Sequence, residues 1–159
     1  MNKIERNIIV GSLLGDGSLA LYGRSKNAYY REHVCSKQVP YRKCKAQMLE
    51  NLDFKLLTSC KNPQFRCLSS SIYTDLYNMF YKNREKIITP ENILLLDHPL
   101  GLACLYMDDG SLIIDSSKKK NGSIYIFPRY IFPSIYIYTL NFSRDENLIL
   151  QSHIKKHSI

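Results

Sequence analysis

Acidic residues are scarce in this chain. Its 159 residues hold 14 Asp plus Glu against 22 Lys plus Arg, a formal charge of +8 with a pI near 9.2. That deficit points away from a basic partner and toward a polyanion such as nucleic acid, with a membrane surface as the weaker alternative. Cysteine pairs are also missing. Cys35, Cys44, Cys60, Cys67 and Cys104 form an odd set with no CxxC spacing and no neighbouring histidine pair. This argues against a zinc site and a disulfide framework, and favours buried or neutral thiols in a reducing compartment.

No uninterrupted apolar run is long enough to cross a bilayer. The N-terminal run is broken by Asp16, which speaks against a signal peptide. Residues 123–140 are rich in Ile, Tyr and Phe but contain Pro128, Arg129 and Pro133, so they read as strand and no membrane partner is expected. Basic residues are absent from 87–117. They gather instead in 24–66, where Arg24, Lys26, Arg31, Lys37, Arg42, Lys43, Lys45, Lys55, Lys61 and Arg66 face only Glu32, Glu50 and Asp53. A merely solvated face explains part of such a bias.

What is present is periodic. At this length, with 45% hydrophobic residues, the chain buries a core as one domain or two small ones. A helix is predicted over 4–15, closed by Gly17 as a C′ residue with positive φ. Two strands follow in 18–38 around a Ser-Lys-Asn turn, with Arg31, His33, Cys35 and Lys37 on one face. Pro40 opens a helix over 40–52, and 54–71 reads as a hairpin across Lys61-Asn62-Pro63, with Phe65 and Cys67 opposite Gln64 and Arg66. Residues 72–87 carry Ile72, Leu76, Met79 and Phe80 at helical spacing. A short helix over 89–96, a second small-residue helix over 98–108 and strand-like sequence at 111–116 come next. A polar loop at 116–123, a strand in 134–142 and a helix capped by Ser143 with Glu146 as its box partner complete the chain. The order repeats, an internal αββα duplication that places Asp16 and Asp109 at equivalent positions.

Both acids sit where a carboxylate is unwelcome. The stretches "IVGSLLGDG" (9–17) and "LACLYMDDG" (102–110) each end a helix on an acid, against the negative end of the helix dipole, at a cost of a few tenths to about 1 kcal/mol. An Asp-Gly after a helix is usually an ordinary turn; two, each behind a small-residue apolar helix and each followed by Ser-Leu, form a pattern. Gly11, Ser12 and Gly15 in the first helix and Ala103 and Cys104 in the second permit close packing, which brings Asp16 and Asp109 together. A divalent cation between them reverses the sign of both penalties. Oxygen-only ligands favour Mg²⁺, or Mn²⁺, completed by water and substrate phosphate, a site suited to phosphodiester hydrolysis.

These paired stretches resemble the motifs of LAGLIDADG homing endonucleases, with Asp16 and Asp109 at the eighth, acidic position. The flanks "KIITPENILLLDHPLGLACLYMDDGS" and "IYTLNFSRDENLIL" are similar to single-chain, two-motif, intron-encoded members. The resemblance implies an α+β saddle of two pseudo-symmetric αββαββα halves, residues 1–96 and 97–159, with motif helices as interface and sheets in the DNA major groove. It further implies a monomeric, Mg²⁺-dependent double-strand endonuclease acting on a long asymmetric site. Asp16 and Asp109 are then metal ligands, the Gly15 and Asp108 carbonyls assist, and Lys86 lies near the cleaved phosphate. Asp108 as the essential acid is the competing assignment, its side chain otherwise capping the helix or facing solvent. Arg24, Lys26, Arg31, Lys37, Lys61 and Arg66 are the expected DNA contacts, supported by charge and strand alternation.

Asp109 follows Asp16 by 93 residues, and 50 residues come after it, so the second half is expected to lack its last strands and closing helix and a counterpart of Lys86. Other expectations for the scaffold are an intron-RNA-binding maturase and an inactive remnant. Abundant Ile, Asn, Lys and Tyr suggest an AT-rich genome, so an intracellular location is expected, in a mitochondrion or plastid, with a bacterial cytoplasm as the alternative.

Overall fold

The computed structural model describes residues 1–21, 23, 25–58, 63–113 and 134–157. The first helix, α1 (Lys3–Leu14), starts on a capping box in which Asn2 accepts from the Glu5 backbone and Glu5 accepts from that of Asn2. It buries Ile8, Ile9, Val10, Leu13 and Leu14, too broad a set for a surface helix. Gly17 follows it without a positive φ, contrary to the expected C′ role. Its backbone N–H reaches back to Ser12 O at 2.7 Å, and an added Cβ would lie 2.3 Å from Tyr30 Oη. Glycine is needed there for close approach.

Strands β1 (Ser18–Leu21) and β2 (Ala28–His33), helix α2 (Val39–Met48), strands β3 (Lys55–Leu57) and β4 (Gln64–Arg66) and helix α3 (Ser71–Phe80) follow. The strands form one antiparallel sheet in the order β1-β2-β4-β3. Alternation puts Leu19, Ala28, Tyr30, Glu32 and Phe65 on its inner face, where Phe54 stacks on Phe65 at 4.7 Å and meets Tyr30 and Tyr73 edge-on. β2 ends at His33, earlier than expected: Cys35 caps a 3₁₀ turn that carries Lys37, so neither continues the row of Arg31 and His33.

The helix expected to run to residue 87 stops at Phe80. Strands β5 (Tyr81–Lys82) and β6 (Glu85–Lys86) form a tight hairpin whose turn residues Asn83 and Arg84 take positive φ. The buried face of α3 is Tyr73, Leu76 and Phe80, while Met79 is exposed and Ile72 half-buried. A 3₁₀ turn at 92–95 follows, with Thr89 and Asn92 bonded reciprocally.

Helix α4 (Pro99–Asp109) runs directly into β7 (Gly110–Ile113), which pairs antiparallel with β8 (Ser134–Ile137). Helix α5 (Arg144–His157) begins on the expected Ser143–Glu146 box. Among the described residues the order α4-β7-β8-α5 repeats α1-β1-β2-α2, and mixed helix with antiparallel sheet gives the α+β class. Glu146 also accepts from Ile88 N, and His153 bonds Leu96 O at 2.6 Å, tying α5 to the segment before α4. Cys67 and Cys104 are buried, and burial pushes both thiols up. Cys35 and Cys44 are exposed, so burial does not extend to all the cysteines. Among the described residues no helix is long and apolar enough to cross a membrane. The polar loop at 116–123 and most of the apolar 123–140 run lie outside the described residues, as does Cys60.

Candidate functional site

The site is built where α1 and α4 end side by side. A Cβ on Gly11 would lie 2.0 Å from Gly101 O, and one on Gly15 would lie 2.7 Å from Asp108 Cβ and 3.3 Å from Asp109 Oδ2. Gly11 and Gly15 thus provide the expected close approach. On α4 the small contact residue is Gly101; Ala103 points away and is exposed. At the other end of this helix pair, Arg6 Nη2 donates to both Asp97 oxygens, and Asn7 donates to Asp97 and accepts from His98 N.

This packing brings Asp16 and Asp109 to one place. Burial raises the Asp109 carboxyl above its usual range, and the charges of Asp16 and Asp108 add to the effect while Lys86 opposes it. Among the described residues no donor bonds the Asp109 carboxylate, whereas Asp16 accepts from Arg42 Nη2 at 2.7 Å and Gln38 Nε2 at 3.1 Å. The Asp16 side chain remains 33% exposed. Lys86, delivered by the β5–β6 hairpin, donates to Gly15 O at 2.9 Å. Burial lowers its pKa, with Asp109 first and then Asp16 pulling the other way.

Asp108 behaves differently from its neighbour. Its side chain neither caps nor faces solvent: it is fully buried and accepts from Arg42 Nη1 at 2.7 Å and, more distantly, Lys45 Nζ at 3.4 Å. Beneath lies Glu32 on the inner face of β2. Glu32 accepts from Lys45 at 2.8 and 3.0 Å, pairs with Arg42 and receives the Tyr30 hydroxyl. Lys45 also donates to Ser12 Oγ at 2.6 Å. Burial lifts the Glu32 carboxyl despite Lys45 and Arg42. The Arg42 guanidinium resists burial because Glu32, Asp108 and Asp16 together hold it above its ordinary value.

Two members of the basic run are therefore internal. Gln38, Arg42 and Lys45 were not singled out from sequence, yet 38, 42 and 45 share one face of a helix, and Glu32 sits in phase with the apolar positions Ala28 and Tyr30. An acid in an inner-face position needs a cation, and that was the available signal.

The outer sheet face carries the remaining charge. Register aligns Ser18, Arg31, Arg66 and Lys55 in one row across the four strands. Lys55 joins Arg31 and Arg66 there although it was counted only as part of the basic run. Beside the row lies an open groove of about 390 Å³ lined by Tyr29, Lys55, Gln64, Arg66 and, as its one acid, Asp53. Lys26 is exposed in the β1–β2 turn and Lys37 in the 3₁₀ turn beyond β2. Arg24 and Lys61 lie outside the described residues.

The donor set around Asp16 and Asp109 is all oxygen. Among the described residues no three His, Cys, Asp or Glu side chains gather as a self-sufficient metal centre. Two convergent carboxylates beside backbone carbonyls fit a hard divalent cation that keeps water and phosphate ligands, and they do not fit a softer metal needing nitrogen or sulfur.

Comparison with known proteins gives a consistent picture. The profile of the LAGLIDADG DNA endonuclease family matches residues 6–159. Over 111 residues the chain is 31% identical to Protein RecA of Mycolicibacterium flavescens and 30% identical to that of Mycobacterium shimoidei, covering 69% of this chain and 26% of each relative. The chain thus spans about a quarter of the length of these curated relatives. Among solved structures it is similar in fold to the homing endonuclease I-WcaI bound to its DNA recognition sequence. That match has a TM-score of 0.73 and 21% identity, over 98% of this chain and 67% of the other.

Proposed function

The chain belongs to the LAGLIDADG DNA endonuclease family, and we propose on that footing that it is a site-specific homing endonuclease hydrolysing a phosphodiester bond in each strand of duplex DNA. Its cleavage would promote mobility of the intron that encodes it. The observation that carries this reading is the convergence of Asp16 and Asp109 at the joined ends of α1 and α4, beneath Lys86 and beside a cationic sheet face.

Asp16 and Asp109, with the carbonyls of Gly15 and Asp108, would hold Mg²⁺ or Mn²⁺. When bound, such an ion supplies a more acidic water and neutralises charge on the reacting phosphate. The chain's own residues do the rest. Lys86 sets a fixed cation beside the acids, where a phosphate oxygen would meet it in a partly dry site, and the buried Arg42 holds Asp16 in place. Arg31, Arg66 and Lys55 span the sheet as a row that fixes the register of the duplex through its phosphates. Tyr29 and Gln64, on the same face, are placed to touch base edges. Residues 1–96 and 97–159 each contribute one motif acid.

The test is incubation of the purified chain with duplex DNA of the uninterrupted host locus, in Mg²⁺ and then in EDTA, alongside Asp16→Asn. A specific double-strand cut that needs both the metal and Asp16 is expected. Cleavage by Asp16→Asn equal to that of the parent chain would overturn the reading.

A further inference from the structure

Arg42 is held by more than the acids it serves. Its Nη2 reaches Asp16 at 2.7 Å and its Nη1 reaches Asp108 at 2.7 Å while also pairing with Glu32. The guanidinium is planar, so partners on two of its nitrogens fix both its reach and its plane. Glu32 is the deepest of these partners. Its side chain is completely buried on the inner face of β2, and its two oxygens bind Lys45, Arg42 and the Tyr30 hydroxyl together.

Burying a carboxylate, an ammonium and a guanidinium together is costly, and well-packed apolar residues of similar volume would serve stability as well or better. A stability role therefore gives a poor account of Glu32. Its geometry gives a better one. Lys45 has two nearby acids to choose from, Glu32 at 2.8 Å and Asp108 at 3.4 Å. With Glu32 as the nearer acid of Lys45, Asp108 has Arg42 Nη1 as its close cation and Lys45 only at 3.4 Å, and Arg42 keeps its other terminal nitrogen directed at Asp16. Without the Glu32 charge, Lys45 turns to Asp108 and competes with Arg42 for it.

We infer that Glu32 is a positioning residue for DNA cleavage: it partitions the two buried cations so that Arg42 is aimed at Asp16. The inference rests on the endonuclease reading and concerns a residue that touches neither DNA nor metal. Loss of the Glu32 charge is expected to misplace Arg42 rather than weaken DNA binding.

The experiment compares Glu32→Gln with the parent chain in two independent readouts. The first is nitrogen NMR of the Arg42 guanidinium, assigned by its loss in Arg42→Met. Restricted rotation with distinct Nη signals is expected in the parent chain, and averaging or a marked shift in Glu32→Gln. The second is single-turnover cleavage together with DNA affinity. A fall in rate of about tenfold to a hundredfold is expected, with the dissociation constant within about twofold. The Glu32 effect should vanish in the Arg42→Met background, since a residue acting through Arg42 has nothing left to position.

Unchanged Arg42 signals in Glu32→Gln, or an undiminished Glu32 effect in Arg42→Met, would overturn the inference. If Glu32→Gln folds poorly, Glu32→Gln with Lys45→Met removes the partner charge as well. Recovered folding with the rate and the Arg42 signals restored supports the partition, because no second cation then competes for Asp108; recovered folding with a slow rate overturns it. If the parent chain cuts no DNA, the function reading fails, while the NMR comparison still decides whether Glu32 sets Arg42.

Discussion

A methyl group on Gly11 would stand 2.0 Å from the carbonyl oxygen of Gly101, so α1 and α4 meet backbone to backbone. No side chain lies between them to adjust. Every angstrom of that approach is what brings Asp16 and Asp109 together.

Gly11→Ala is therefore expected to cost about 3 kcal/mol or more, since the obstacle is backbone and cannot yield by changing rotamer. Gly23→Ala makes the control: Gly23 has φ +50° with open space around it, so only the left-handed conformation is penalised, by about 1 kcal/mol. Thermal denaturation followed by circular dichroism should show a far larger fall for Gly11→Ala.

On the proposed mechanism, Asp16→Asn and Asp109→Asn should each slow cleavage by about a hundredfold or more, because each removes charge that holds the metal. DNA affinity should hold within about threefold, since the basic row supplies it. Paired cleavage and gel-shift assays check both statements. A loss of binding equal to the loss of rate would count against this division.

Salt dependence should separate surface cations from buried ones. On the proposed binding mode, in which each contacts one phosphate, Lys55→Met and Arg66→Met are each expected to reduce the slope of log K against log salt by about 0.9, with the loss of one released counterion. Arg42→Met should leave the slope unchanged, because its guanidinium is buried among acids.

The Asp97 carboxyl lies well below its usual range, held there first by the Asn7 amide and then by Lys3 and Arg6. A depressed folded-state pKa contributes stability above the unfolded value, near 3.9, and loses it as pH falls through the folded value. Asp97→Asn should therefore lower stability by about 1 kcal/mol at neutral pH, given a carboxylate still partly exposed. Melting curves of the two chains should converge as the pH drops below about 4.

Much of this was readable in the amino acids. Both motif helices, the Pro40 start, the alternation of β2 as far as His33 and the Ser143–Glu146 box rest on local rules, and the structure places them as those rules require. Asp16 and Asp109 were legible through the paired helix ends and Lys86 only through the family resemblance, and the structure brings the three to one place. What escaped was set by distant contacts. Arg42 and Lys45 read only as members of a basic run because their acids, Glu32 and Asp108, come from a strand and another helix. The stop of α3 at Phe80 was hidden because the turn relies on positive φ at Asn83 and Arg84, and arginine gives no warning of that. Gly17 was assigned a conformational role when its neighbour Tyr30 demanded a steric one.

The contact between Gly11 and Gly101 also orders events on the ribosome. α1 is made before α4, so the face it buries is completed by a helix synthesised some ninety residues later. At about 5–20 residues per second, that face waits several seconds for its partner. During that interval Gly11 and Gly15 have no partner backbone from α4, and the face they carry stays open. Nascent-chain capture by chaperones should accordingly persist until residue 109 has cleared the exit tunnel, and then fall sharply.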